Sequence, residues 1–462
     1  MTETVRENPL GYVEPKKLLR QFAVPSIVAM LVTNLYNLVD QVIIGWRVGM
    51  LGNAATNVAF PLTTICFSIY LLIGIGSASR FGLELGRRNP EIAKKTVGNA
   101  IIISIVAGLI LAVVAEAFMV PMLHGFGTTE DVLPYAMTYV KYTAFGFPFL
   151  IVGTVLSNLI RADGSPKYSM ICMLVGSIIN TILDPVLMFG LGMGMEGAAL
   201  ATVIAQVISF IVTIAYFRNM KQVKLTKDAF RPDFPLMARN LSYGLSNCLT
   251  QLGILVVQIS FNHSLIFYGA QSVYGSNIPL TAFGVMMKIN GIVFGFFIGI
   301  SQGSQPIYSF NYGAAKYDRV KAVYKQAAKL CLILGLIATI AYEVFPRQLM
   351  GMFGTGTELY FQFAVWMMRT FLCMTIFAGI QLISSNFFAA IAMPWKGVIL
   401  SMCRQVIFML PILYILPKFL GLKGLGYCGP IVDLLSFLIC ILLIRREFKR
   451  MDLQAKEQAA LA

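Results

Sequence analysis

Charge is scarce in this chain: Asp, Glu, Lys and Arg make up 12% of its 462 residues, against 57% hydrophobic, and the mean hydropathy is +0.75. A soluble domain needs a far more hydrated surface, so this balance excludes one and leaves a protein that crosses a membrane many times. Histidine is scarcer still. His124 and His263 stand far apart, which argues for loop or packing roles and against a metal centre. The eight cysteines fall singly in apolar segments with no CxxC and no loop pairs, and read as small buried hydrophobes. A short apolar run ending in a small-residue cleavage site is also missing. The first twenty residues instead hold Glu3, Arg6, Glu7, Glu14, Lys16 and Lys17, so the first span is expected to act as its own signal. No nucleophile with a base and no metal cluster gathers at one depth, which disfavours an intramembrane enzyme and leaves no catalytic residue or cofactor to name. A passive channel is disfavoured too, since no repeated ring of filter residues occurs.

Apolar runs long enough to cross a roughly 30 Å core lie at about 22–46, 53–76, 97–120, 135–159, 168–190, 197–217, 240–268, 279–304, 322–345, 359–389, 397–417 and 424–444. Twelve spans make an all-α integral membrane protein. The net charge of +15 would point to nucleic acid in a soluble protein, but here the bases gather in short loops between spans and in both termini. Loops after even-numbered spans hold most of them. The exceptions are Arg47, Lys141, Lys288, Arg347, Arg369, Lys418 and Lys423. By the positive-inside rule both termini are expected in the cytoplasm, with the chain in the cytoplasmic membrane.

The chain repeats itself. Shifted by about 227 residues, LDPVLMFGLGMGMEGAALATVIAQVISF at 183–210 runs beside LPILYILPKFLGLKGLGYCGPIVDLLSF at 410–437, pairing Gly194 with Gly421 and Gly197 with Gly424. Gly86, Glu91 and Lys94 likewise match Gly313, Asp318 and Lys321. Six spans per copy give both the same orientation, so two pseudo-symmetric bundles about an axis along the membrane normal are expected. Their bounds are 1–217 and 240–445, with a basic linker at 218–239 and a tail at 446–462.

Polar groups inside the spans locate function. Thr33, Tyr36, Asn37 and Asp40 repeat every three to four residues along one face of the first span, and an acid at bilayer depth belongs to an ion or substrate path. Asn180 and Asp184 share a face of span five, where Pro185 is expected to distort the helix. Thr202 and Gln206 share a face of span six. Counted along the helices, Asp40, Asp184 and Thr202 all fall in the external half of the first bundle. Two carboxylates, an amide and a hydroxyl are hard oxygen ligands that suit a proton or Na⁺. Tyr36, Asn37 and Asn158 join the polar set more weakly, as suited to inter-helix hydrogen bonding as to binding. The second bundle has no matching acids. Lys288 and Arg369 read there as structural partners for Asp433, Glu343 or backbone carbonyls, or as cavity residues, and a few of the many Met and Phe side chains offer an adaptable wall.

LYNLVDQVIIG at 35–45, RADGSPKYS at 161–169, NTILDPVLMFG at 180–190, GAALAT at 197–202 and QGSQPIYSFNYGAAKYDRV at 302–320 together resemble the MATE family of multidrug and toxic compound extrusion transporters, closest to its DinF-like and MepA-like prokaryotic branch. The resemblance implies a V-shaped pair of six-helix lobes that exports amphipathic, usually cationic, small molecules in exchange for Na⁺ or H⁺. Two lobes in one chain are expected to work as a monomer. It also implies that the coupling ion is held at positions matching Asp40, Asn180, Asp184 and Thr202. A lipid-linked oligosaccharide flippase of the same superfamily is the alternative, but twelve spans and an acidic first lobe favour cation export.

Overall fold

The computed structural model describes residues 8–353 and 356–461. Glu3, Arg6 and Glu7 lie outside them. Among the described residues eleven helices are long and apolar enough to cross a membrane, and one pair bent by 52° supplies the twelfth crossing. These are α1 (Pro15–Arg47), α2 (Met50–Gly86), α3 (Pro90–Ala117), α4 (Leu133–Ala162), α5 (Pro166–Gly190) and α6 (Met195–Asn219), then α7 (Phe234–Ala270), α8 (Asn277–Gly313) and α9 (Tyr317–Val344). The bent α10 (Glu358–Phe371 with Thr375–Ala390), α11 (Pro394–Leu420) and α12 complete the set. The last runs unbroken over Leu422–Leu461, so the expected tail continues the helix. Its Met451 is buried, and buried Glu447 pairs with Lys396 at 2.5 Å and Arg450 at 3.2 Å. Asx side chains start several helices: Asn89 Oδ1 accepts from Ile92 N at 3.4 Å and Asp233 Oδ1 from Leu236 N at 3.0 Å.

Helices α2 and α8 outrun the spans expected from hydropathy by whole turns. Their ends, GSASRFGLELG and QGSQPIYSFNYG, are polar and glycine-rich, yet almost wholly buried. The two segments form the seam between the lobes, where in lipid it is close backbone packing and hydrogen bonds that hold helices together. Gly86 and Gly313, already paired by the repeat, show why the seam needs glycine. A Cβ on Gly86 would meet Phe310 O at 2.1 Å, and one on Gly313 would meet Leu83 O at 2.2 Å. Polar clasps line the same seam: Gln305 Nε2 donates to Ile75 O (2.9 Å) and Ser79 Oγ (2.8 Å), and Arg161 Nη1 donates to Gln302 Oε1 (2.9 Å). All of this lies toward the basic-loop ends of the helices. Moving the other way, Asn34 Nδ2 to Gly291 O at 3.1 Å is the last α1–α8 hydrogen bond; beyond it Gly284, Asn37 and Lys288 are exposed or face open space. The lobes therefore enclose a cleft that opens away from the basic end.

Two features depart from a simple cut between lobes. Leu10, Leu18, Leu19, Phe22 and Ala23 are buried in the core built by α8, α9, α10 and α12, whereas Ile43 and Ile44, farther along α1, are buried in the core of the first lobe. Helix α1 thus crosses from one lobe to the other. The linker, in turn, is fastened to the first lobe. Asp163 accepts from Lys221 N (2.7 Å), Gln222 N (3.0 Å) and Tyr216 Oη (2.7 Å), while burial pushes its carboxyl up and these donors pull it down. Asn99 grips the other end, donating to Arg231 O at 3.2 Å and accepting from Asp233 N at 2.8 Å. Helix α7 then begins at Phe234, ahead of the expected start at 240, because Asp233 caps it and a proline follows in its first turn.

Candidate functional site

Proline decides the local geometry of the site. Pro185 has no N–H to give to the helix, and directly after it the chain widens into a π turn over Val186–Gly190, closed by Leu191 N to Val186 O at 3.0 Å. Arg47, at the end of α1, then donates to Met188 O (3.0 Å) and Gly192 O (3.4 Å). This ties α1 to α5 just beyond the acids, and brings Asp40 against Asp184.

Asp184 is fully buried and Asn180 nearly so. One orientation of the Asn180 amide satisfies both neighbours, its nitrogen donating to Asp184 Oδ2 at 3.1 Å and its oxygen accepting from Thr202 N and Oγ1 at 3.3 Å. Thr202 Oγ1 also lies 3.0 Å from Ala198 O. Asp40 and Asp184 stand close enough to act on each other's charge, and Asp40 Oδ1 is buried without a partner. No base forms an ion pair with either acid among the described residues. Two such carboxylates repel when both are charged and bare, so the arrangement calls for a shared proton or a cation between them. The donor set fits Na⁺: Asp40, Asp184, Asn180 and Thr202 offer hard oxygens, one of them an orphaned buried acceptor.

Tyr36 stands beside both acids. Tyr139 of α4 does so too and reaches Thr202, a site residue that sequence reading missed. Nothing in its spacing marked it, but depth would have. Measured from the outer ends of their helices, Asp40, Tyr139, Asp184 and Thr202 all lie about 9–10 Å deep. Asn37 is exposed on the cleft side. Gln206 lies about a turn deeper than Thr202, its Oε1 buried without a partner and pressed on Gly146. Asn158 is not brought to the acids: it donates to Thr154 O at 3.0 Å and packs on Gly74 near the basic end.

In the second lobe Arg369 donates to Glu343 O at 2.9 Å and stands 4.0 Å from its carboxylate. Asp433 pairs instead with Arg404 at 3.0 Å. Arg404, grouped by sequence with the basic loops, sits about 15 Å along α11 in a second π turn, Cys403–Met409, and stacks over Phe294 at 5.8 Å. Lys288 is exposed and belongs to none of the ion pairs found among the described residues.

The model of the MatE family matches residues 25–186 and again 252–415, once for each lobe. The chain belongs to the MatE family. Among its relatives in that family, a probable multidrug resistance protein, YoeA, of Bacillus subtilis is 26% identical over 386 residues, 82% of each chain. An FAD transporter of Shewanella oneidensis is 24% identical over 445 residues, covering 93% of this chain and 94% of its own. Of solved MATE structures, the multidrug transporter DinF-BH in complex with R6G is 30% identical and superposes with a TM-score of 0.88, over 96% of this chain and 98% of that one. The twelve-helix, two-lobe architecture expected from the sequence is the architecture of these transporters, and transport is the business of the family.

Proposed function

We propose that the protein is a secondary antiporter that exports amphipathic, chiefly cationic, organic compounds from the cytosol in exchange for Na⁺ or H⁺, with Asp40, Asp184, Asn180 and Thr202 holding the coupling ion. One observation carries the reading: a buried pair of carboxylates without a basic partner, facing each other near the open end of a cleft between two lobes. A proton or Na⁺ entering from outside neutralises the pair and lets α1 settle against α5; a cationic substrate competes for the same charge. Ion and substrate shift the two lobe arrangements only through their different affinities for each, which is how one gradient drives the other. Relatives named for multidrug export and for FAD leave the cargo of this chain to experiment.

The basic loops put the closed end of the cleft in the cytosol, with both termini, and two lobes in one chain make a functional monomer. The test is efflux of rhodamine 6G from proteoliposomes holding wild type, Asp40→Asn or Asp184→Asn, with Na⁺ and pH gradients imposed separately. Gradient-driven export lost in both variants is the expected result, and the effective gradient identifies the ion. Export that continues with normal ion dependence in Asp40→Asn removes the first-lobe site from the mechanism.

A further inference from the structure

Lys288 is unusual among the cations of this chain, and its surroundings assign it a ligand. It lies about two and three helical turns from Gly295 and Gly299 on the same face of α8. That face meets α1: a Cβ on Gly295 would stand 2.9 Å from Asn34 Nδ2, and one on Gly299 would stand 2.5 Å from the Ile27 Cα. The α1–α8 contact ends at Gly291, so one turn farther out the same face looks into the cleft. Lys288 projects there, exposed, about 16 Å from the outer end of its helix and within bilayer depth. A lysine at such depth without a counter-charge marks a ligand path.

The second lobe does not supply that counter-charge. Its acids nearest the outer half are already matched, Glu343 with Arg369, Glu358 with Arg347 and Asp433 with Arg404. Gln258 adds an exposed amide to the same wall. It lies about five turns along α7 from Asn240, whose carbonyl abuts Gly76 of the first lobe, and it points away from the Gly253 side that packs on Gln405. The first lobe thus holds Asp184 and the Oδ1 of Asp40 buried within it, whereas the second lobe turns an exposed lysine and an exposed amide to the cleft.

We infer that Lys288, with Gln258, is a subsite for an oxyanion, a carboxylate or phosphate, on an amphipathic substrate whose ring or cationic end faces the first-lobe acids. The inference rests on the antiport reading above and specifies its substrate class: zwitterionic and acid-bearing amphipaths rather than simple lipophilic cations.

Two dyes that differ in a single group test it. Rhodamine 6G is an ethyl ester and rhodamine 19 is its free carboxylic acid; riboflavin and its 5′-phosphate form the matching phosphate pair. Binding of each is followed by fluorescence anisotropy, and efflux from proteoliposomes, in wild type, Lys288→Met and Lys288→Arg. Since residue 288 is exposed, both variants keep the fold, and the readout is the ratio of the affinity for the oxyanion-bearing dye to that for its partner without the oxyanion, within one protein. Lys288→Met is expected to lower that ratio about tenfold for the carboxylate pair, the phosphate pair or both, while Lys288→Arg preserves it. The pair that responds names the oxyanion. Ratios unchanged by either substitution overturn the subsite and leave antiport standing. Absence of transport of all four dyes by wild type under either gradient defeats the antiport reading, and the subsite with it.

Discussion

The two lobes share a fold and a repeat, and they treat their acids at membrane depth in opposite ways. In the second lobe the membrane-depth acid Asp433 is neutralised by Arg404 at 3.0 Å. In the first, Asp40 and Asp184 face each other with only an amide and hydroxyls around them. An ion pair inside a protein is complete and resists exchange; a bare pair of acids is incomplete and takes up whatever cation the gradient supplies. If the proposed antiport holds, the same scaffold yields one lobe built to hold and one built to exchange.

The sharpest way to break this comparison is to remove one partner from the complete pair. Asp433→Asn strands Arg404 in the second lobe and is expected to lower stability by about 3–5 kcal/mol, with Arg404→Gln added to Asp433→Asn restoring much of it. Thermal unfolding in detergent reads both, and an unaltered single variant would show the pair to be idle. Next in size, Asp184→Asn is expected to reduce gradient-driven efflux about 100-fold without loss of fold, because it removes the exchanging charge itself. Equal loss in a folded Asp433→Asn protein would erase the distinction between the lobes.

Symmetry offers a third comparison. Gly86→Ala and Gly313→Ala push a methyl into backbone across the same seam, at 2.1 Å and 2.2 Å, so each is expected to disfavour the arrangement closed at the basic end by about 1–3 kcal/mol. Cysteine labelling from the basic side should rise to the same extent in both. A response in only one would mean that the seam opens asymmetrically. The smallest effect is expected at Thr202→Ala, which removes one hydroxyl of the proposed coupling site and should weaken cation affinity about fivefold, as read by ion-dependent quenching of tryptophan fluorescence.

Much of this was legible beforehand because acids in an apolar segment are conspicuous. Asp40, Asn180, Asp184 and Thr202 stand out by chemistry, spacing and depth, and the structure places them together. Tyr139 and Arg404 did not stand out. Tyrosine is ordinary packing material in a helix, and Arg404 followed a loop closely enough to be counted with it. The extent of α2 and α8 was hidden for a related reason, since Ser, Gln and Gly lower hydropathy whether they face water or pack backbone against backbone. Periodicity shows that Leu18, Leu19 and Phe22 want a partner, but not that the partner belongs to the other lobe.

That last feature bears on how the protein is made. Asn311 of α8 donates to Leu10 O across 301 positions of chain, and the core that receives Leu18, Leu19 and Phe22 has not been synthesised when α1 enters the bilayer. Contacts so distant in sequence are the slowest to form. The opening helix must wait in lipid, its outer half seated in the first lobe and its inner, N-terminal half provisional, until the ribosome delivers α8 and α9; the first element made is among the last to settle. A chain severed in the linker should accordingly regain function only when both halves are expressed together, since the core of the second half includes Leu18, Leu19 and Phe22 of the first.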